Sequence, residues 1–84
     1  MRPCIENLYF ETGLHIGHVD IMRHAAWELI FITRGSVHVE IAGKSYDAVA
    51  PSMIFISNYE PHVLTVRSES YERYVMLINP SVAK

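Results

Sequence analysis

Hydrophobic and polar positions group into short strand-like runs along the chain, and turn-forming residues interrupt them roughly every 8 to 12 positions. The clearest alternation lies over residues 36–41. Val37, Val39 and Ile41 share one face there, and Ser36, His38 and Glu40 share the other, as in a half-buried strand. Before it, residues 27–33 form an aromatic and β-branched run that Arg34-Gly35 stops. After it, Ala42-Gly43-Lys44 supplies a tight turn and residues 46–49 begin another strand. Pro51-Ser52 breaks the pattern again, residues 53–57 are a short apolar run, and Asn58-Tyr59-Glu60-Pro61 is a loop. Strands are expected over 62–66 and 71–78, with Arg67-Ser68-Glu69-Ser70 turning between them. No helical period of 3.6 is sustained, and there is no repeat, low-complexity tract or linker, so the pattern predicts a single all-β sandwich or barrel.

Two of these strands, 27–33 and 74–78, are apolar on both faces. An antiparallel sheet commonly turns one face to water, so a second apolar face asks for a cover, and a homodimer is the economical expectation. Length points the same way. A chain of 84 residues buries only roughly 60% of its unfolded surface, which leaves a small core or a shared one. Its seven Lys and Arg against nine Asp and Glu give a net charge of −2, and the basic residues are scattered singly. Without a basic stripe to neutralise phosphates, no nucleic-acid binding is expected. The single cysteine, Cys4, forms no internal disulfide, and no apolar run is long enough for a bilayer span or a signal peptide. A cytoplasmic location with no membrane partner is therefore the expectation.

The candidate chemistry lies in a few polar residues set into greasy strands. On an unbroken strand entering at Ile21, the parity of Met22, His24, Glu28 and Ile30 puts them on one face, and His62 opens a later strand beside Leu64 and Val66. Two imidazoles and a carboxylate converging inside a small barrel suit one divalent metal such as Fe, Mn, Ni or Zn with open positions. Equally, they are groups hydrogen-bonded inside a barrel wall. Tyr46 and Arg73 offer polar contacts to a bound hydroxyl or carboxylate, or equally serve structural roles, since the sequence does not fix their facing. His15 and His18 read as a surface or strand-end pair rather than metal ligands, His38 as solvated, and Trp27, opposite in parity to Glu28, as packing or dimer interface rather than a ring stacked on a ligand. Nothing near Cys4 makes it a nucleophile, and no catalytic residue is expected.

These positions also form a pattern. The spacing His24-x3-Glu28-x6-Gly35 resembles the second half of the first cupin motif, and Pro51 followed by His62 resembles the second. The order "WELIFITRGSVHVEIAGKSYDAV", "MIFISNYEPH", "YERYVMLINP" is similar to the N-terminal cupin domain of AraC-type transcriptional regulators, over roughly residues 19–80. Met22 stands where metal-binding cupins carry the first histidine, and Ser52-Met53 where Gly-Asp is common.

The resemblance implies a small antiparallel, jelly-roll-like cupin barrel over 19–80. Residues 1–18 would be an arm or edge strand, 81–84 a tail, and the DNA-binding module would be absent from this chain. It further implies an effector-sensing and dimerising role without enzyme activity or cofactor, in which Met22, His24, Glu28, Tyr46, His62 and Arg73 line the site of a small effector such as a sugar. The alternative is a free-standing metal-dependent cupin enzyme, an oxygenase or isomerase, with the metal on His24, Glu28 and His62.

Overall fold

The chain forms eight strands in a computed structural model, whose described residues are 4–22, 26–57 and 60–79; of these, Cys4, Glu6, Ile21 and Met22 are described by their backbone alone. The strands are β1 (Cys4–Glu11), β2 (Val19–Met22), β3 (Trp27–Arg34), β4 (Ser36–Ile41), β5 (Lys44–Val49), β6 (Ser52–Ile56), β7 (His62–Val66) and β8 (Glu72–Asn79). They form two four-stranded sheets, in the orders β1-β8-β3-β6 and β2-β7-β4-β5, with every pairing antiparallel. No helix occurs among the described residues.

Between the sheets lies a core of Ile30, Ile32, Val37, Val39, Ile56, Leu64, Val66 and Val75, closed at one end by Tyr71. Each of these strand residues alternates with outward-facing neighbours, so the pattern read from the sequence is the packing pattern. Two turns fix the register on which this depends. Ala42 and Gly43 both sit at positive φ (50° and 83°), as a two-residue I′ hairpin turn requires, and so set Ile41 opposite Lys44. Gly35, at φ 92°, turns β3 into β4 against the 68–70 loop, where a Cβ would overlap the Ser70 carbonyl oxygen and the Ser68 hydroxyl.

Strand parity does not run from Ile21 to Ile30 as one strand. Residues 19–22 are β2 of one sheet and 27–34 are β3 of the other, and period-two parity does not carry across a change of sheet. His24 lies outside the described residues, as do 80–84.

The two outer faces differ. On the β2-β7-β4-β5 sheet, His38, Glu40, Ser45 and Asp47 lie on the outer side of β4 and β5, and His38 Nδ1 is 2.9 Å from Asp47 Oδ1. On the other sheet, Leu8, Met76, Leu29 and Phe55 stand opposite one another across β1, β8, β3 and β6. Phe10, Tyr74, Phe31 and Met53 form the next row. Trp27 shares this face, its ring centroid 6.1 Å from that of Phe55.

Candidate functional site

The inner faces of β1, β2, β3, β7 and β8 carry polar residues at the end of the sandwich where β1 faces β2. Tyr9, Glu11, Asp20, Glu28, Ile30, His62, Leu64 and Arg73 line a cavity of about 210 Å³ there. In volume this holds about seven waters, or one molecule of similar size.

Arg73 organises one wall. Its side chain is only 7% exposed, its Nε and Nη2 donate to Glu11 Oε1 at 2.9 and 2.6 Å, and Nη2 also donates to Asp20 Oδ2 at 2.6 Å. Burial alone disfavours the guanidinium, but the two carboxylates outweigh it and hold its pKa above the usual value. Asp20 also meets the ring of His18, Nε2 to Oδ1 at 3.1 Å. Beneath the guanidinium lies the ring of Tyr71, its centroid 5.8 Å from Cζ, a cation–π distance. The Tyr71 hydroxyl is buried and makes no hydrogen bond of ordinary geometry among the described residues; burial pushes its pKa up, with Arg73 pulling the other way. Burial likewise raises the pKa of Tyr9, with the Glu11 charge adding to it.

Across the cavity, Glu28 of β3 and His62 of β7 are both buried, with His62 Nε2 3.3 Å from Glu28 Oε1. The other ring nitrogen, Nδ1, lies 3.0 Å from the Glu60 carbonyl, which fixes the ring plane. Burial is the largest single influence on this imidazole and opposes its charge. The Glu28 carboxylate and the Glu60 carbonyl together overcome it, so the His62 pKa stands above its ordinary value. The cavity thus holds three carboxylates against one permanent cation and one titratable ring, an environment rich in acceptors for hydroxyl or ammonium hydrogens.

The site residues expected from the sequence divide accordingly. Glu28, His62 and Arg73 come together in this cavity. Met22 pairs with His62 through its backbone, and its side chain, like all of His24, lies outside what is described. Tyr46 is elsewhere. It lies opposite Val39 on β5, is 53% exposed, and lines a separate, wider cleft of about 610 Å³ between the open edges of β5 and β6. That cleft is larger, but Lys44, Asp47 and Glu60 are the charged groups in its lining, and the buried charge cluster is in the smaller cavity.

Sequence reasoning missed Tyr9, Glu11, Asp20 and Tyr71. A partial signal existed for two of them: Arg73, on an inner strand face, needs carboxylate partners to be buried, and the first two strands offer three acids, Glu6, Glu11 and Asp20, without showing which of them reach it. As to metal, Glu28 and His62 supply two of the ligands considered and their contact fits a shared site, but among the described residues no group of three His, Cys, Asp or Glu side chains is arranged to hold an ion.

Known structures share this architecture. A predicted oxalate decarboxylase from Thermotoga maritima superposes with a TM-score of 0.80 at 18% identity, covering 89% of this chain and 67% of its own. The Cnp3 cupin domain of Schizosaccharomyces pombe gives 0.75 at 8% identity, covering 95% and 71%. An RmlC-like cupin from Shewanella frigidimarina gives 0.71 at 13%, covering 93% and 85%. At such identities the likeness establishes the cupin fold. The chain spans about two thirds of the length of the first of these structures. No curated protein sequence matches it. The family model of the AraC-like ligand binding domain matches residues 18–84, most of the chain, and on that match the protein belongs to the AraC-like ligand-binding domain family.

Proposed function

We infer that the chain is the effector-sensing domain of an AraC-type transcriptional regulator, working as a homodimer, and that the effector occupies the cavity between Arg73 and His62. One observation carries this reading: a family of ligand-binding domains is represented here by a barrel whose interior holds a buried cluster of opposed charges around a void. Buried charge without a use is an expensive way to fill a core. At about 210 Å³ the void lies below the ~300–1,000 Å³ of drug-sized ligand sites, so the effector is small. The acceptor-rich walls favour a polyhydroxyl compound such as a sugar. Sequence readout of DNA belongs to a separate module, and this chain is expected to leave duplex DNA unshifted in gels at physiological salt.

Thermal melts against a panel of monosaccharides and polyols test the reading. At 100 times its dissociation constant a ligand stabilises the fold by about 2.7 kcal/mol. For a domain of this size that raises Tm by roughly 10–20 °C. Asp20→Asn should abolish the shift. A panel without any saturable shift, or a shift that Asp20→Asn leaves intact, counts against it.

A second reading, a metal-dependent cupin enzyme, draws on the Glu28–His62 contact and on the likeness to a predicted oxalate decarboxylase. There Glu28, His62 and His24 would hold the ion, which would supply Lewis-acid or redox chemistry. Stoichiometric Fe, Mn, Ni or Zn in the purified chain, lost in His62→Ala, would favour it over the sensor.

A further inference from the structure

The outer face of the β1-β8-β3-β6 sheet carries its two rows of apolar residues across all four strands without a charged side chain in either. Six members of those rows, Leu8, Phe10, Phe31, Met53, Phe55 and Tyr74, are each about half exposed. The other sheet turns His38, Glu40 and Asp47 to water, so the molecule has one wet sheet face and one dry one.

We propose that this dry face is the homodimer interface, packed against the same face of a second copy of the chain. The proposal locates the pairing that the sensor reading includes, and depends on that reading for nothing else. Area is the first argument. Taking about 200 Å² for a large side chain, the six residues expose on the order of 600 Å², most of the roughly 800 Å² that each partner brings to a standard specific interface.

Self-complementarity is the second. A two-fold contact sets a patch against itself, and a patch with charge at its centre would bury like charges together; this one keeps its charges at the margin, where Arg34 meets Glu72 at 3.6 Å. Its relief also suits packing. A groove of about 230 Å³ runs between Leu8, Leu29, Phe31, Met53, Tyr74 and Met76, flanked by the rings of Phe10 and Tyr74 with centroids 4.8 Å apart. An anionic bilayer is a poorer partner, since the chain carries a net charge of −2 and neither row holds a Lys or Arg.

Sedimentation equilibrium of the 84-residue chain should return twice the chain mass at tens of micromolar. Phe31→Glu and Tyr74→Glu, each placing two charges in the interface, should raise the dimer dissociation constant at least about 100-fold with an unchanged circular dichroism spectrum. Val49→Glu, on an exposed position of β5, should leave it unaltered. Peroxide oxidation of Met53 gives a reading on the unaltered chain: it should be slow at high concentration and speed up on dilution through the dissociation constant. A monomeric chain overturns the proposal together with the dimeric part of the sensor reading. A dimer whose Met53 oxidises at the same rate at all concentrations, or which withstands both glutamate variants, overturns the proposal alone. A monomer that co-sediments with phosphatidylcholine vesicles assigns the face to lipid and overturns it as well. Whether the cavity binds an effector at all is read separately, by thermal shift, so a failure of the dimer proposal and a failure of the sensor reading are distinguishable.

Discussion

Gly35 and Arg73 show how single residues set the frame and the site. At Gly35 two constraints coincide: φ lies in the left-handed region, and the Cβ position is already filled by Ser70 and Ser68. Gly35→Ala should therefore destabilise the fold by about 3 kcal/mol, measured by urea denaturation, with the β3–β4 turn strained and the 68–70 loop displaced. Arg73 acts through charge. Replacing it with methionine removes the cation and leaves Glu11 and Asp20 adjacent, two carboxylates about a third or less exposed. Breaking a buried ion pair on one side typically costs about 3–5 kcal/mol, and the partial exposure of the acids puts Arg73→Met near the lower end at neutral pH. Adding Asp20→Asn to that variant should recover part of the loss; a double variant no more stable than the single one would mean that repulsion between the acids is not the cause.

At the scale of elements, β3 and β7 lie in opposite sheets and meet through Glu28 and His62, so the contact ties the two layers together. Its strength depends on pH. The folded-state pKa of His62 is raised above the unfolded value near 6.5, so its contribution to stability is complete below about pH 6.5 and is lost as pH rises through the folded value. Thermal midpoints should fall across that window, and Glu28→Gln should flatten the fall; an unaltered slope in that variant would place its origin elsewhere. Much of this layer arrangement was legible in the sequence. The strands over 36–41 and 62–66 match β4 and β7, because clean alternation between two turn signals leaves one register. Glu28 and His62 were legible as inner residues through the cupin-like spacing. The ion cluster at the other wall was legible only as a need of Arg73 for carboxylates, because Arg73 lies 62 residues from Glu11 and 53 from Asp20 and meets them only when β1, β8, β7 and β2 close that end of the sandwich. Tyr46 misled for a related reason: its parity is inward, but β5 is an edge strand, so an inward-facing side chain there meets an open cleft.

In the whole molecule, the charged cavity and the dry outer face lie on opposite sides of β3 and β8. Glu28 and Arg73 point inward from the same strands whose Phe31 and Tyr74 point outward. A ligand that draws Arg73 away from Glu11 or Asp20 therefore acts on a strand that also forms the centre of the proposed interface. Such a shift of one β8 residue moves its neighbours in the pleat, because strand residues share a rigid hydrogen-bonded ladder on both sides. Thermodynamic reciprocity then makes a definite demand: if effector binding changes the pairing constant by some factor, pairing changes effector affinity by the same factor. Effector titrations by calorimetry, run well below and well above the dimer dissociation constant, should differ in affinity by about 5- to 150-fold, the range of ordinary allosteric coupling. The Phe31→Glu variant should show the low-concentration affinity at both concentrations. Equal affinities for the unaltered chain at the two concentrations would mean that the cavity binds without informing the interface, and that any signal leaves the barrel by another route.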